Sequence, residues 1–341
     1  MHGWIIIDKP LGPGSTQMVS AVKRALRTGG YGKYKVGHGG TLDPLASGVL
    51  PVAIGEATKL SGRMLDADKA YDFTIGFGTE TDTLDAEGKA VATSDVRPTL
   101  AQVEAVLMRF TGAIEQVPPA YSALKIDGER AYDRARAGES FEIKRRAVTV
   151  HALAIEPPSS QRRLGSHAAG TDPESRTSAE IPASAGMTMG TDVEESSSGG
   201  RLDEVTLSAR VSKGTYIRSL ARDIAQALGT VGHVTMLRRT KAGPFTLDAA
   251  ISLDKLDEFA KAHRLEKALL PMTAGLDDIP ALSVTPDQAR ALREGRRLIG
   301  IAAPTGLNLA LEGDVPVALV EAEDQEIRVV RGFNLMSKED A

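Results

Sequence analysis

Between Gly37 and Gly48 the chain reads Gly-His-Gly-Gly-Thr-Leu-Asp-Pro-Leu-Ala-Ser-Gly, a run that no helix crosses. Glycines at 37, 39 and 40 permit backbone angles and close approaches that a Cβ resists. Asp43 precedes Pro44, which biases it toward extended geometry. Its carboxylate is therefore displayed from a tight loop rather than along a regular element. No other acid lies between Lys9 and Leu42, so this negative group stands in a cationic neighbourhood. A carboxylate in such surroundings suits a nucleophile or base better than a proton donor. Asp-Pro in a Gly-rich loop also reads as plain turn chemistry, with the carboxylate bonding its own backbone. Spacing alone leaves both readings open.

A net charge of −4 sits poorly with a polyanionic partner until its distribution is considered. Lys9, Lys23, Arg24, Arg27, Lys33 and Lys35 face no acid across 9–42. Arg210, Lys213, Arg218, Arg222, Arg238, Arg239 and Lys241 face only Asp223 across 210–241. Two basic stretches bracketing the Asp43 loop form a phosphate footprint. The absence of cysteine excludes disulfides, thiolate metal sites and cysteine nucleophiles. The histidines at 2, 38, 151, 167, 233 and 263 show no ligand spacing, and no Rossmann or Walker glycine pattern is present. Neither a metal nor a cofactor is expected. Trp4 to Ile7 is too short for a secretory signal or a membrane span, so a cytoplasmic protein with no membrane partner is expected. A chain of 341 residues, 42% apolar and 25% charged, has room for a full core and for two domains.

Gly3 to Lys9 reads as a buried strand. Ser15 or Thr16 caps a helix whose apolar face is Val19, Val22 and Leu26. Val49 to Ile54 is a compact core strand. Tyr71, Phe73, Ile75 and Phe77 alternate with Asp72, Thr74 and Gly76, a half-buried strand with its aromatics on one face. Thr79 to Gly88, with Asp82 and Asp85, reads equally as a polar turn or a solvated loop. Thr99 caps a helix ending near Phe110, and 121–146 reads as a charged surface segment. Val148 to Ile155 and Val205 to Val211 are strands expected to pair, although residues 159–200 separate them. That segment is dominated by Ser, Gly, Thr, Ala and Pro with scattered charge, and has no aromatic and no period. It buries too little apolar surface to offset its ordering entropy, and loop closure rises slowly with length, so a disordered insert is expected. Thr215 or Tyr216 opens a helix to Leu228 with Arg218 in its first turn. The helix dipole opposes a cation there, so Arg218 should have a specific acidic partner, with Asp43 the candidate. Residues 253–271 form a helical connector. A helix over 287–295 and strands over 307–311, 315–321 and 326–330 follow. Twelve Asp and Glu against 7 Lys and Arg over 274–341 make this tail too acidic to grip phosphate broadly.

The Gly37–Gly48 run resembles the catalytic loop of the TruB family of tRNA pseudouridine synthases, whose usual form is Gly-His-Thr-Gly-Thr-Leu-Asp-Pro-Leu-Ala-Thr-Gly. Gly39 and Ser47 stand where that form has threonines. Four further matches lie in family order: Asp8-Lys9-Pro10, Lys69-Ala70-Tyr71, Lys213-Gly214-Thr215-Tyr216-Ile217-Arg218, and His233-Val234 through Leu237-Arg238-Arg239. The resemblance implies an α+β pseudouridine-synthase fold, with a mixed, mainly antiparallel sheet flanked by helices. It implies a catalytic domain over 1–273 and a small β-rich PUA-like domain over 274–335. The 159–200 insert departs from the family, which has a short connection there.

The same resemblance implies a monomeric isomerase that converts the T-loop uridine of tRNA, position 55, to pseudouridine without a cofactor. It assigns Asp43 the catalytic carboxylate, Arg218 the holding of it, and Tyr71 a place against the target base. His38 would fill the stack that the flipped base leaves, Tyr216 would form an aromatic wall, and Leu237 would close the apolar side. Lys9 would brace the loop or a phosphate, and Lys69, opening the matched strand, joins the substrate-binding set. The segment 121–146 would close over RNA. The reaction breaks the N1–C1′ bond, turns the base and joins C5 to C1′ with no net electron transfer. The carboxylate either attacks C1′ or removes a ribose proton on the way to a glycal. A base inside a folded loop must first be flipped out. A catalytically idle RNA-binding module or tRNA-folding chaperone on the same fold is the competing reading, and intact Asp43, Tyr71 and Arg218 argue against it.

Overall fold

The computed structural model describes residues 1–156 and 200–335, apart from 123, 127, 128, 138, 140 and 142. The insert expected at 159–200 lies outside these residues but for Gly200.

The isoleucine-rich start of the chain is a strand covered on both faces, Gly3–Lys9. Ile5 and Ile7 join one core, Trp4 and Ile6 another, which is why the run lacks a polar alternate. It pairs antiparallel with Ala46–Ile54 from Gly3↔Ile54 to Lys9↔Gly48. The sheet continues through Gly232–Ala242, Lys69–Phe77, Glu204–Val211, Arg146–Ile155 and Gly112–Gln116, and its other end is Leu270–Pro271. Val36–His38 lies on Ala46–Ile54, and Phe245–Thr246 on Gly232–Ala242. Every pairing in this sheet is antiparallel except Leu237–Arg239 against Ala46–Gly48. The fold is therefore α+β with a mixed, mainly antiparallel sheet, as expected. The strands on either side of the insert are neighbours, with Ile155 opposite Leu207.

Four helices, Ser15–Thr28, Leu100–Leu107, Ile217–Ala227 and Leu253–Lys261, put Val22, Val103, Leu220 and Leu256 into the core that holds Ile5 and Ile7. The opposite face, with Trp4 and Ile6, takes Leu309 and Leu319 from a second sheet and Phe333 from just beyond its last-numbered strand. That five-stranded sheet runs in the order Ala281–Ser283, Gly306–Glu312, Val315–Glu323, Glu326–Gly332, Leu298–Ile299. Its helix, Pro286–Arg293, is capped by Thr285. Among the described residues no helix is long and apolar enough to cross a membrane.

Three local expectations differ. Ser15 does not cap its helix; Gly14 holds that position, its N–H donating to the Gln17 side chain at 2.7 Å. Thr74 is as buried as the aromatics beside it, because Lys69–Phe77 is an inner strand covered on both faces, and its hydroxyl meets that of Thr206 at 2.9 Å. The connector is helical only to Lys261 and then passes through a short turn to the edge strand Leu270–Pro271.

Candidate active site

The Asp43 loop is fastened from beneath at three of its backbone positions. Arg239, 1% exposed, donates from Nη1 to the Thr41 carbonyl at 3.2 Å and from Nε to the Val49 carbonyl at 2.7 Å. The Ser15 hydroxyl accepts from the Leu42 N–H at 2.8 Å and donates to the Leu42 carbonyl at 3.0 Å. Lys9, fully buried, donates to the carbonyls of Pro44 at 3.3 Å and Pro10 at 2.9 Å. Burial brings the Lys9 ammonium down to about 8, with Asp43 and Glu87 partly opposing the fall. Gly48 closes the loop at φ +100°, where a Cβ would fall 2.1 Å from the Arg239 carbonyl oxygen, so only glycine permits the parallel pairing there.

Asp43 itself, 44% exposed at its side chain, opens onto a cleft. The Arg218 guanidinium, 7% exposed, donates from Nη2 to Asp43 Oδ2 at 2.8 Å and to the Tyr121 carbonyl at 2.9 Å. From Nη1 it reaches Asp85 Oδ2 at 3.1 Å and the Thr83 carbonyl at 2.8 Å. The acidic partner inferred from the helix dipole is thus present, and a second one, Asp85, is buried behind it. Asp85 is in turn fixed at Oδ1 by the Thr83 hydroxyl at 2.6 Å and the Glu87 N–H at 3.1 Å. Burial, then the neighbouring Asp85 and Asp43, raises the carboxyl of Glu87 above its ordinary value. Nothing in the sequence pattern marks Asp85 beyond a polar turn or a solvated loop. Gln116, 1% exposed, was missed altogether. Its amide pairs with the backbone of Tyr216, accepting from N–H at 2.8 Å and donating to C=O at 3.1 Å. It thereby seats the residue that precedes the helix Ile217–Ala227.

The cleft measures about 410 Å³, and Asp43, Tyr71, Tyr216, Arg218 and Leu237 line it together. His38, Lys9 and Lys69 do not. His38 ends the short strand Val36–His38 beside Val52, and burial, followed by the Arg239 charge, lowers its imidazole below the ordinary value. Lys69 donates to the carbonyls of Leu65 at 2.6 Å and Ala67 at 2.5 Å, closing the end of the helix Ser61–Asp66. Burial lowers its ammonium to about 8, and it lines a separate cleft of about 450 Å³. The phosphate footprint also changes. Arg239 is buried, Arg238 bonds Asp8 at 2.8 Å, Arg222 pairs with Asp223 at 2.7 Å, and Lys213 reaches Asp66 at 3.1 Å. Much of the second basic stretch is therefore internal wiring, while Arg24, Lys33 and Lys35 of the first are exposed.

One carboxylate is thus held by a buried guanidinium at a cleft that Tyr71, Tyr216 and Leu237 also line. The fold has solved counterparts. "Crystal Structure of a Cbf5-Nop10-Gar1 Complex" superposes with a TM-score of 0.65 at 26% identity, covering 99% of this chain and 86% of that one. "Structure of H/ACA RNP bound to a substrate RNA containing 2'-deoxyuridine" gives 0.63 at 24% identity, covering 99% and 86%. Residues 23–165 match the TruB family pseudouridylate synthase N-terminal domain, and 218–277 match the tRNA pseudouridylate synthase B C-terminal domain. The protein named tRNA pseudouridine synthase B of Novosphingobium aromaticivorans is 58% identical over 335 residues, 98% of each chain. That of Zymomonas mobilis is 55% identical, covering 98% of this chain and 96% of its own. The chain belongs to the TruB family of pseudouridylate synthases.

Proposed function

We propose that this chain isomerises the T-loop uridine of tRNA, position 55 on the T-arm, to pseudouridine. The observation that carries the reading is the Asp43 carboxylate on the cleft, held at 2.8 Å by Arg218 and sharing that cleft with Tyr71 and Tyr216. The names of the relatives, 55% and 58% identical, point the same way. A flipped uridine stacks against the tyrosines with Leu237 on its apolar side. Asp43 acts at the ribose, either attacking C1′ as the N1–C1′ bond breaks or removing a ribose proton to give a glycal. The freed uracil turns and C5 bonds to C1′ as the Asp43 ester bond breaks or, on the glycal route, as Asp43 returns the proton to the ribose. The C5 proton is then lost with help from Tyr71, and N1 takes up a proton from solvent. Arg218 supplies aim that a lysine, without a planar fork, supplies less well. His38 takes the vacated place in the RNA stack. Lys9 braces the loop through the Pro44 carbonyl.

The chain works as a cytoplasmic monomer without metal or cofactor, with residues 1–273 as the catalytic domain and 274–335 as a PUA-like one. The test is release of tritium from tRNA labelled at uracil C5. The wild type should release one equivalent and Asp43→Asn none. Wild-type protein that binds tRNA and releases nothing would replace this reading by that of a binding module.

A further inference from the structure

Two cations line the active-site cleft, Arg218 and Arg146. They differ in what occupies them. Arg218 is committed to two carboxylates and two carbonyls. Arg146 is exposed, and its guanidinium has no hydrogen bond or ion pair among the described residues. Its neighbour Arg145 does have an acid in reach, Glu115 at 4.0 Å.

The position of Arg146 is nonetheless well defined. It is the first residue of the strand Arg146–Ile155 and stands in register opposite Gln116. Gln116 is the residue whose amide seats Tyr216. The turn before Tyr216 gives way at Gly214, at φ +79°, where a Cβ would lie 3.9 Å from Arg146 Nη1. The guanidinium therefore rests over a backbone without a side chain, on the same wall as Tyr216.

We infer that Arg146 grips a backbone phosphate of the nucleotide that enters the cleft. This rests on the proposed function. The aromatic and apolar walls hold a base by its faces, and Asp43 addresses the sugar. The third part of a nucleotide is its phosphate, and no lining group is yet matched to it. A planar guanidinium with five donors fits phosphate bidentately. Here it would tether the ribose beside Asp43, beyond the general attraction that exposed lysines give.

The test compares wild type with Arg146→Gln and Arg146→Lys on a T-arm stem-loop. Arg109→Gln serves as a control for net charge on a surface away from the cleft. Arg146→Gln should lower kcat/KM roughly 10- to 100-fold, the range for a lost charged hydrogen bond. It should reduce the salt slope of binding by about 0.7 to 1 unit. Arg146→Lys should restore the slope but only part of kcat/KM, and thermal midpoints should stay unchanged. A neutral methylphosphonate placed 5′ or 3′ of the target uridine then identifies the phosphate. At the gripped position it should cost the wild type a similar factor and Arg146→Gln almost nothing further. An unchanged kcat/KM and slope in Arg146→Gln, or methylphosphonate penalties that multiply with the substitution at both positions, would overturn the assignment. Salt slopes measured on an Asp43→Asn background decide the phosphate contact even if turnover is absent, so failure of the grip and failure of the proposed reaction remain distinguishable.

Discussion

Replacing Asp85 by asparagine should cost more stability than replacing Asp43, although only Asp43 is offered to the substrate. Both carboxylates contact the Arg218 guanidinium, but Asp85 is 4% exposed at its side chain and Asp43 is 44%. Two unit charges about 4 Å apart interact by roughly 4 kcal/mol at an effective dielectric of about 20. Removing one member of a buried pair typically costs ~3–5 kcal/mol. Asparagine keeps the size and an acceptor for Thr83 and Glu87, so the lower end, about 3 kcal/mol, is expected for Asp85→Asn. Asp43 is the solvated end of its pair, water screens it and replaces part of the lost interaction, and Asp43→Asn should cost under about 1 kcal/mol. Arg218 keeps three of its four acceptors in that variant, Asp85 and the carbonyls of Thr83 and Tyr121. Urea unfolding gives the stabilities, and single-turnover tritium release gives the chemistry. Asp43→Asn should be stable and inactive. Asp85→Asn should be destabilised and slowed roughly 100-fold, because a guanidinium pulled off position no longer aims Asp43. Equal destabilisation by the two variants, or a fully stable Asp85→Asn, would refute the division into a buried anchor and an exposed working group.

Three further outcomes are expected. Lys9 and Lys69 each have a folded value near 8 against an ordinary 10.5, so between those two the unfolded chain binds more protons and stability rises with pH; denaturation of Lys9→Met from pH 7.5 to 10.5 should show a shallower rise, the part that Lys69 supplies, and parallel profiles for both proteins would count against a buried Lys9 ammonium. Lys33→Gln should lower the salt slope of RNA binding by about 0.7 to 1 unit, whereas Arg239→Gln, 1% exposed in the fold, should lower the thermal midpoint instead; the reverse pattern would place RNA against the second basic stretch. Gly39→Thr, which restores the residue of the usual loop, should destabilise because its Cβ would fall 2.6 Å from Met64 Cβ; a thermal midpoint equal to wild type would show that the helix Ser61–Asp66 yields easily.

The loop and the outline of the sheet were legible because local chemistry decides them. Three glycines and Asp-Pro break any helix, and the Ile-rich start needs cover on both faces. The partnership of Arg218 with Asp43 followed from an electrostatic mismatch at a helix start. Asp85 was not legible, since a polar turn becomes a buried anchor only when a guanidinium from residue 218 arrives beside it. Gln116 was hidden for a similar reason. Its side chain imitates a strand partner for Tyr216, a contact across 100 residues with no sequence signature. Arg239 misled in the opposite direction. A basic pair resembles a surface patch, yet both lie within the strand Gly232–Ala242, whose alternation sends Arg238 to Asp8 and Arg239 inward beneath the loop.

The same buried groups explain how a glycine-rich loop can hold a catalytic residue steady. Glycine gives the backbone freedom to turn, and freedom is a liability for a side chain that must be aimed. Arg239 takes the carbonyl of Thr41, Ser15 takes both backbone groups of Leu42, and Lys9 takes the carbonyl of Pro44. The pinned positions are 41, 42 and 44, and the three anchors are themselves 5% exposed or less. None of the three anchors reaches residue 43, whose carbonyl accepts from the Ala46 N–H at 3.0 Å, and its side chain leaves the fastened backbone toward the cleft, where Arg218 meets it. Each anchor is polar and buried, a placement that costs stability unless its hydrogen bonds are made. Here part of those bonds is made to the loop, so letting the loop go would leave Ser15 without its Leu42 partners and would cost Lys9 and Arg239 one bond each. The rigidity of the Asp43 backbone is therefore bound to the hydrogen bonding of the groups below it, and a glycine-rich loop is held by the core.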